Sequence, residues 1–337
     1  MNNIVVVKYE DKYEDKWDKF IYNESYNGTI LQTRSFLNYH PKERFKDHSL
    51  LFFKGGNTLI AVIPACESQD DNGLCLNSHS GSTFGGIIFA EAFLSISNVA
   101  DVLDSLELYL KNNKINKIYL KMTSEVFTKG NNDLIYYLLF NRGYSSYDEL
   151  SFCIDLKNKK GFDFVQNMKS KTRNEYRASC KNNLVFRMLL DDEIEDYYNL
   201  LKKSLLKYNT KPVHSLEEMC SLKNKYLKDR VEFYGVFLAN KMIAGSLVFL
   251  YDRVFHTQYL AADPDYLNLK PMNFLDGNLI RTSYEKNYDY FSFGISTENH
   301  GLYLNESLAK FKEGFGTGYY INKTFYKQFN WSDIDET

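Results

Sequence analysis

Cysteine and proline are scarce in this chain of 337 residues, with five of each. Cys66, Cys75, Cys153, Cys180 and Cys220 are scattered, and no Cys-x-x-Cys pair occurs. That spacing argues against a zinc knuckle or a disulfide framework and fits reduced thiols. Charge of one sign is also lacking: 41 Lys and Arg stand against 43 Asp and Glu, a net charge of −2. No global basic field therefore argues for DNA or an anionic membrane as partner. No apolar run approaches the roughly 20 residues that a membrane span requires, and the apolar stretch near the N-terminus is too short for a signal peptide. The expectation is a soluble, cytoplasmic protein without a membrane span, with peripheral contact left open. No Ser-His-Asp triad, paired-carboxylate motif or metal-ligand spacing stands out, so no metal, no tightly bound cofactor and no covalent intermediate are expected.

Apolar and aromatic residues are plentiful, at 44% and 16% of the chain, with 27 Tyr and 25 Phe. Such a composition builds packed globular domains rather than disorder, and the length favours two of them. Periodicity predicts a strand over 3–9, a helix over Tyr13–Tyr26, and a hairpin of Leu50–Lys54 and Thr58–Pro64 around Gly55-Gly56-Asn57. Strands at Leu74–Asn77 and Gly86–Phe89 follow, then a helix over Ala92–Asn112, the strand Ile115–Lys121, a helix over Asp133–Asn141 and the strand Leu150–Leu156.

The second half repeats the order. A helix over Asp191–Tyr208 precedes a hairpin of Phe233–Leu238 and Met242–Tyr251, the strand Val254–Ala261 and a helix over Met272–Lys286. The strand Tyr288–Phe293, a helix over Leu302–Lys312 with Gly314 and Gly316 as candidate left-handed caps, and the strand Tyr319–Phe329 complete it. Matching elements recur at an offset of about 175–185 residues, the sign of a tandem duplication. The expected domains are 1–156 and 157–337, each an α/β unit with a mixed sheet.

Several polar groups stand out. Between Lys157 and Arg187 nine Lys or Arg face only Asp163 and Glu175. Lys171, Arg173 and Arg177 are the members best suited to phosphates of tRNA, a nucleotide or CoA, unless the run is simply a solvated helix face. Strand alternation over 254–260 puts His256, Gln258 and Leu260 on one face, and Thr257 with Tyr259 on the other. His256 is a candidate general base, set against a structural hydrogen-bonded role. Asn305 and Lys312 would share a helix face, and Glu306 would take an amine proton or merely stabilise the helix. In the first half Gln32, Arg34, His40 and Ser78-His79-Ser80 are unusually polar for a sheet entrance. The run Gly81–Gly86 precedes a strand and reads first as a tight loop.

The order of elements resembles the GNAT N-acyltransferase fold. Two such units resemble the Fem peptidyltransferases and the related acyltransferases of bacterial polysaccharide loci, in their short form without a helical arm. The pieces that carry the likeness are Lys169-Ser170-Lys171-Thr172-Arg173 through Arg177-Ala178-x-x-Lys181, then Tyr288–Gly294, then Phe311-Lys312 followed by Phe315-Gly316. The resemblance implies Lys312 at the reacting centre with Phe311 beside the substrate. It implies acceptor-phosphate contacts near Arg34, His40 and His79, with Tyr208 and Lys211 contributing from the second domain. A CoA-dependent GNAT has a glycine-rich pyrophosphate loop before its central helix. Here that junction, Ala262–Asn273, has no glycine.

The function expected is transfer of an acyl or aminoacyl group, from acyl-CoA or charged tRNA, to an amine of a cell-envelope or polysaccharide precursor. The acceptor would be a sugar or peptide on a nucleotide or lipid carrier. Acyl-CoA-dependent N- or O-acetylation of a sugar and a catalytically silent module that binds a carrier-linked sugar are the alternatives.

Overall fold

The computed structural model describes residues 4–41, 43–71, 73–157, 161–206 and 209–331. They form two compact units, Met1–Asp148 with Ile321–Thr337, and Glu149–Tyr320.

In the first unit, Gly55 and Gly56 take φ of +59° and +86° and turn Leu50–Lys54 back onto Thr58–Ile63, as the sequence implies. This hairpin pairs with Ile4–Lys8 on one side and Ile88–Phe89 on the other, all antiparallel. A second sheet joins Cys66–Asp70, Gly73–Asn77 and Ile115–Lys121, the last two parallel. Residues 324–328 of the terminal strand Gly318–Gln328 add to it. The helix Ile96–Asn112 turns Val99, Val102, Leu103, Leu106 and Leu110 inward at helical spacing, and together they seal the main core. Trp17, fully buried, anchors the smaller core and donates from Nε1 to the Gln32 carbonyl at 2.7 Å.

The second unit is one sheet with helices on its faces. Leu184–Met188, Val231–Leu238, Lys241–Leu250 and Val254–Ala262 run antiparallel in that order. Tyr290–Ile295 lies parallel to Val254–Ala262 and antiparallel to residues 151–155 of the strand Ser145–Asp155. The helix Pro271–Glu285 buries Leu275, Leu279 and Ile280 against Val248, Phe255 and Phe291. The helix Ile194–Leu206 packs on Lys241–Leu250 and Val254–Ala262, with Tyr197 against Gly245.

Some local readings needed correction. The final helix is Glu306–Glu313; Asn299, His300 and Gly301 take positive φ and turn the tiny ladder Thr297–Glu298 against Tyr303–Leu304, so 302–304 are not helical. Gly314 is right-handed (φ −56°), and only Gly316, at φ +81°, is left-handed. The helix Ser170–Ser179 was read only as the solvated face that the basic run would make, because it turns inward only Thr172, Tyr176 and Ser179, which form no apolar stripe.

A glycine inside a helix normally costs about 1 kcal/mol against alanine. Gly277 reverses that sign, because a Cβ there would run into the buried ring of Tyr176. Gly277→Ala is expected to lower stability by about 1–3 kcal/mol through overpacking. A fall in the urea midpoint checks this, and a rise would show that the ring yields freely.

Candidate active site

The site begins where a ladder stops. Val254–Ala262 and Tyr290–Ile295 are paired only through Val254 with Tyr290, Phe255 with Phe291 and His256 with Ser292. Past that point the first strand follows its antiparallel neighbour to Ala262, and the second follows Ser145–Asp155 to Ile295. Parting strands leave peptide groups in need of partners in a buried setting. Lys312 supplies them: its Nζ donates to the carbonyls of Gly294 at 3.1 Å and Ile295 at 2.6 Å. Gly294, at φ +71°, makes the turn that aims these carbonyls.

Local sequence fixes that lysine. Asn305 caps the helix Glu306–Glu313, its Oδ1 accepting from the Leu308 N–H at 3.2 Å. Phe315 is fully buried and packs on Phe311 and Phe293, which ties the end of the helix to the core. Gly314 lets the side chain of Thr172 approach closely. Lys312 is thus carried inward to 3% exposure in the last turn. Burial pushes its pKa down to about 8, opposed by the negative charge available on Asp276 and Cys153.

His256 faces Ser292 across the last paired rung, with Nδ1 3.0 Å from Ser292 Oγ. The same Oγ accepts from the Gly294 N–H at 3.2 Å. Burial first, then the Lys312 charge, push the His256 pKa down to about 4, so the imidazole is neutral at physiological pH. The Cys153 thiol is pushed up to about 11 by burial. Asp276 is fully buried, and among the described residues neither carboxyl oxygen has a hydrogen-bond partner. Burial drives its pKa well above the ordinary carboxylate value, with Lys312 pulling the other way. A desolvated ammonium already steered by two carbonyls keeps one N–H for a developing oxyanion, in a medium where that contact is strong.

The strand carrying His256 departs from strict alternation. Thr257 lies opposite Val248 and Tyr259 opposite Leu247, so Gln258 is the extra residue of a bulge. His256 and Tyr259 therefore share a face, contrary to the alternating pattern expected, and it is the face covered by Tyr197. Tyr259 is occupied there: its OH lies 2.6 Å from His214 Nδ1, and its carbonyl accepts from Tyr197 Oη at 3.1 Å.

The other candidates are placed as follows. Glu306 is exposed and paired with Lys310 at 2.7 Å, outside the buried cluster. Asn305 caps the helix rather than sharing a helical face with Lys312. Arg173 caps the preceding short helix, donating to the Met168 carbonyl at 2.8 Å and Gln166 Oε1 at 3.3 Å, whereas Lys171 and Arg177 are exposed on Ser170–Ser179. Lys211 is exposed, and Tyr208 lies outside the described residues. In the first unit Arg34 is buried, ion-paired with Asp47 and stacked 3.7 Å from the Tyr9 ring centroid. His40 and His79 stack at 5.9 Å, and burial pushes the His79 pKa down to about 3. Sequence reasoning brought His256 and Lys312 together but missed Asp276, Ser292 and Cys153. Asp276 gave a faint signal: an acid at the spacing of Leu279 and Ile280 on the inward side of the helix.

The helix that would cradle a CoA pyrophosphate offers a poor fit. A 3-10 turn, Pro264–Leu269, fills the junction, and Pro271 at the helix start lacks an N–H. Asp263 and Asp265 flank the junction, both paired with Lys203.

Residues 171–301 match the family model described as an acetyltransferase (GNAT) domain. No curated protein matches the chain. Among solved structures the fold is similar to FemX, with TM-score 0.71 and 11% identity over 98% of this chain and 99% of that one. It is also similar to L-PGS from Bacillus licheniformis, with TM-score 0.54 and 11% identity over 85% of each chain. A tandem GNAT protein from the clavulanic acid biosynthesis pathway gives TM-score 0.54 and 8% identity over 96% and 98%. The expected mixed α/β architecture is thus borne out: residues 171–301 match a GNAT acetyltransferase domain, and the chain as a whole has a fold similar to FemX and to a tandem GNAT protein.

Proposed function

We propose that the protein transfers an aminoacyl or acyl group from an activated ester or thioester to an amine of a carrier-linked cell-envelope precursor. The observation that carries this reading is Lys312, a buried ammonium held at the parting of two parallel strands with one N–H to spare. The donor carbonyl would lie against that N–H. The amine attacks, the carbonyl carbon becomes tetrahedral, and its oxygen gains the charge that Lys312 stabilises. As the carbonyl re-forms, the bond from its carbon to the ester oxygen or thioester sulfur breaks; the amine proton passes to neutral His256 and then to that departing atom, so the enzyme ends the cycle unchanged. Glu306, exposed and ion-paired, is the weaker candidate for that proton.

Between donors, the glycine-free junction with Pro271 at the helix start favours aminoacyl-tRNA over acyl-CoA. The FemX and L-PGS folds agree with that preference. The match to an acetyltransferase domain keeps acyl-CoA as the second reading. Lys171 and Arg177, exposed on one short helix, are proposed to meet donor or acceptor phosphates, as is the exposed Lys211. Arg34, His40 and His79 are proposed to shape the acceptor region of the first unit.

Calorimetry with acetyl-CoA at low salt separates the donors. The expected result is no saturable binding, together with transfer from charged tRNA; micromolar acetyl-CoA binding displaced by free CoA would overturn the preference. Lys312→Met, close to isosteric, is expected to lower kcat by about 10²–10³-fold with the fold intact. Unchanged turnover would remove the mechanism. His256 provides a pH test. Its folded pKa, about 4, lies below the ordinary 6.5, so the unfolded chain binds the extra proton in that window. Its stabilising contribution is complete above 6.5 and is lost as pH falls towards 4, by roughly 3 kcal/mol at most. His256→Gln should flatten the unfolding midpoint across that window, whereas an unchanged slope would show that His256 is not buried neutral.

A further inference from the structure

Asp276 has no structural account in the fold. It lies mid-helix in Pro271–Glu285, on the inward stripe that also holds Leu279 and Ile280, and is fully buried. A carboxyl so placed normally has hydrogen bonds, yet among the described residues neither oxygen has a partner. Ser283, farther along the same stripe, is likewise buried with its Oγ unpartnered. An unsatisfied buried acid costs stability, so an apolar residue would fold better at this position.

Its surroundings point to a use. Pro271–Glu285 packs on Tyr290–Ile295, the strand whose last two carbonyls hold Lys312. Leu275 and Leu279 share one buried cluster with Ala309 and Phe315, which bracket Lys312 in sequence. Two ionisable groups of opposite type are thus buried on helices that meet the same strand. Each feels the other's charge: Asp276 favours the protonated lysine, and Lys312 favours the ionised acid. The remaining groups acting on Lys312 are Cys153 and His256. Cys153 stays a thiol and His256 stays neutral near pH 7, which leaves Asp276 as the acid whose charge favours the protonated lysine.

We propose that Asp276 is a positioning residue for Lys312, a buried carboxyl that keeps the ammonium protonated while the acyl carbonyl is attacked. This inference rests on the reading of Lys312 as the oxyanion donor. The two groups titrate as a pair. At low pH the acid is neutral and the lysine charged. Wherever the acid ionises, its charge raises the pH at which Lys312 gives up its own proton. With the acid removed, burial alone acts on Lys312, and its proton leaves earlier.

The test follows Lys312 directly and does not depend on the substrate. Acetic anhydride labelling of the intact protein, read by mass spectrometry across pH 6 to 11, gives the apparent pKa of Lys312. The probe compares wild type with Asp276→Asn and Asp276→Glu. The expected result is a downward shift of about one pH unit in Asp276→Asn, a tenfold change in the protonated fraction on the alkaline side, with recovery in Asp276→Glu. A Lys312 pKa that is the same in all three proteins would overturn the proposal. So would an upward shift in Asp276→Asn. If Asp276→Asn failed to fold, the Asp276→Glu pKa would decide, wild-type-like supporting the pairing and lowered opposing it. A failed transfer assay with a shifted Lys312 pKa would sink the functional reading and leave the pairing intact.

Discussion

A buried ammonium bonded to two peptide carbonyls at the end of a parallel ladder is the constraint around which the second unit is organised. Enclosing an ion costs several kcal/mol even after relaxation. Two hydrogen bonds to the charged group, each contributing about 1.5–3 kcal/mol, offset much of that cost. They also satisfy carbonyls that would otherwise be orphaned where the strands diverge. The lysine and the parting of the strands therefore support each other.

Other features follow from that requirement. Asn305 starts the helix and Phe315 ends it, which fixes the depth to which Lys312 reaches. Gly294 turns the strand so that successive carbonyls converge on one nitrogen. Ser292 joins the turn to His256 by accepting from Gly294 N–H and lying against the imidazole. Burial pushes each titratable group of the cluster towards its neutral form, which leaves His256 unprotonated and able to accept a proton near pH 7 while Lys312, at about 8, is still charged.

Much of this was legible in the sequence, and the failures have physical causes. Ile115–Lys121 and Asp133–Asn141 were read to the residue because turn residues bound strongly periodic segments. The Gly55-Gly56 hairpin was equally plain. Lys312 was located through resemblance, since a lysine in a last helical turn reads by itself as an ordinary cap. The bulge at Gln258 left no mark in the pattern, and it reverses the strand's faces beyond that residue. Asp276 was passed over because burial is a tertiary property: an acid at that spacing looks like one polar exception on a helix. Arg34 was read as a ligand-binding cation, and its ion pair with Asp47 and its stacking on Tyr9 become visible only once the fold is known.

The most direct measurement is a crystal structure of the protein with a non-hydrolysable aminoacyl-adenosine, the chemical end of a charged tRNA. The account predicts its carbonyl oxygen within hydrogen-bond distance of Lys312 Nζ, between the parted strands Val254–Ala262 and Tyr290–Ile295. An aminoacyl group bound elsewhere, with Lys312 still enclosed and out of its reach, would contradict it.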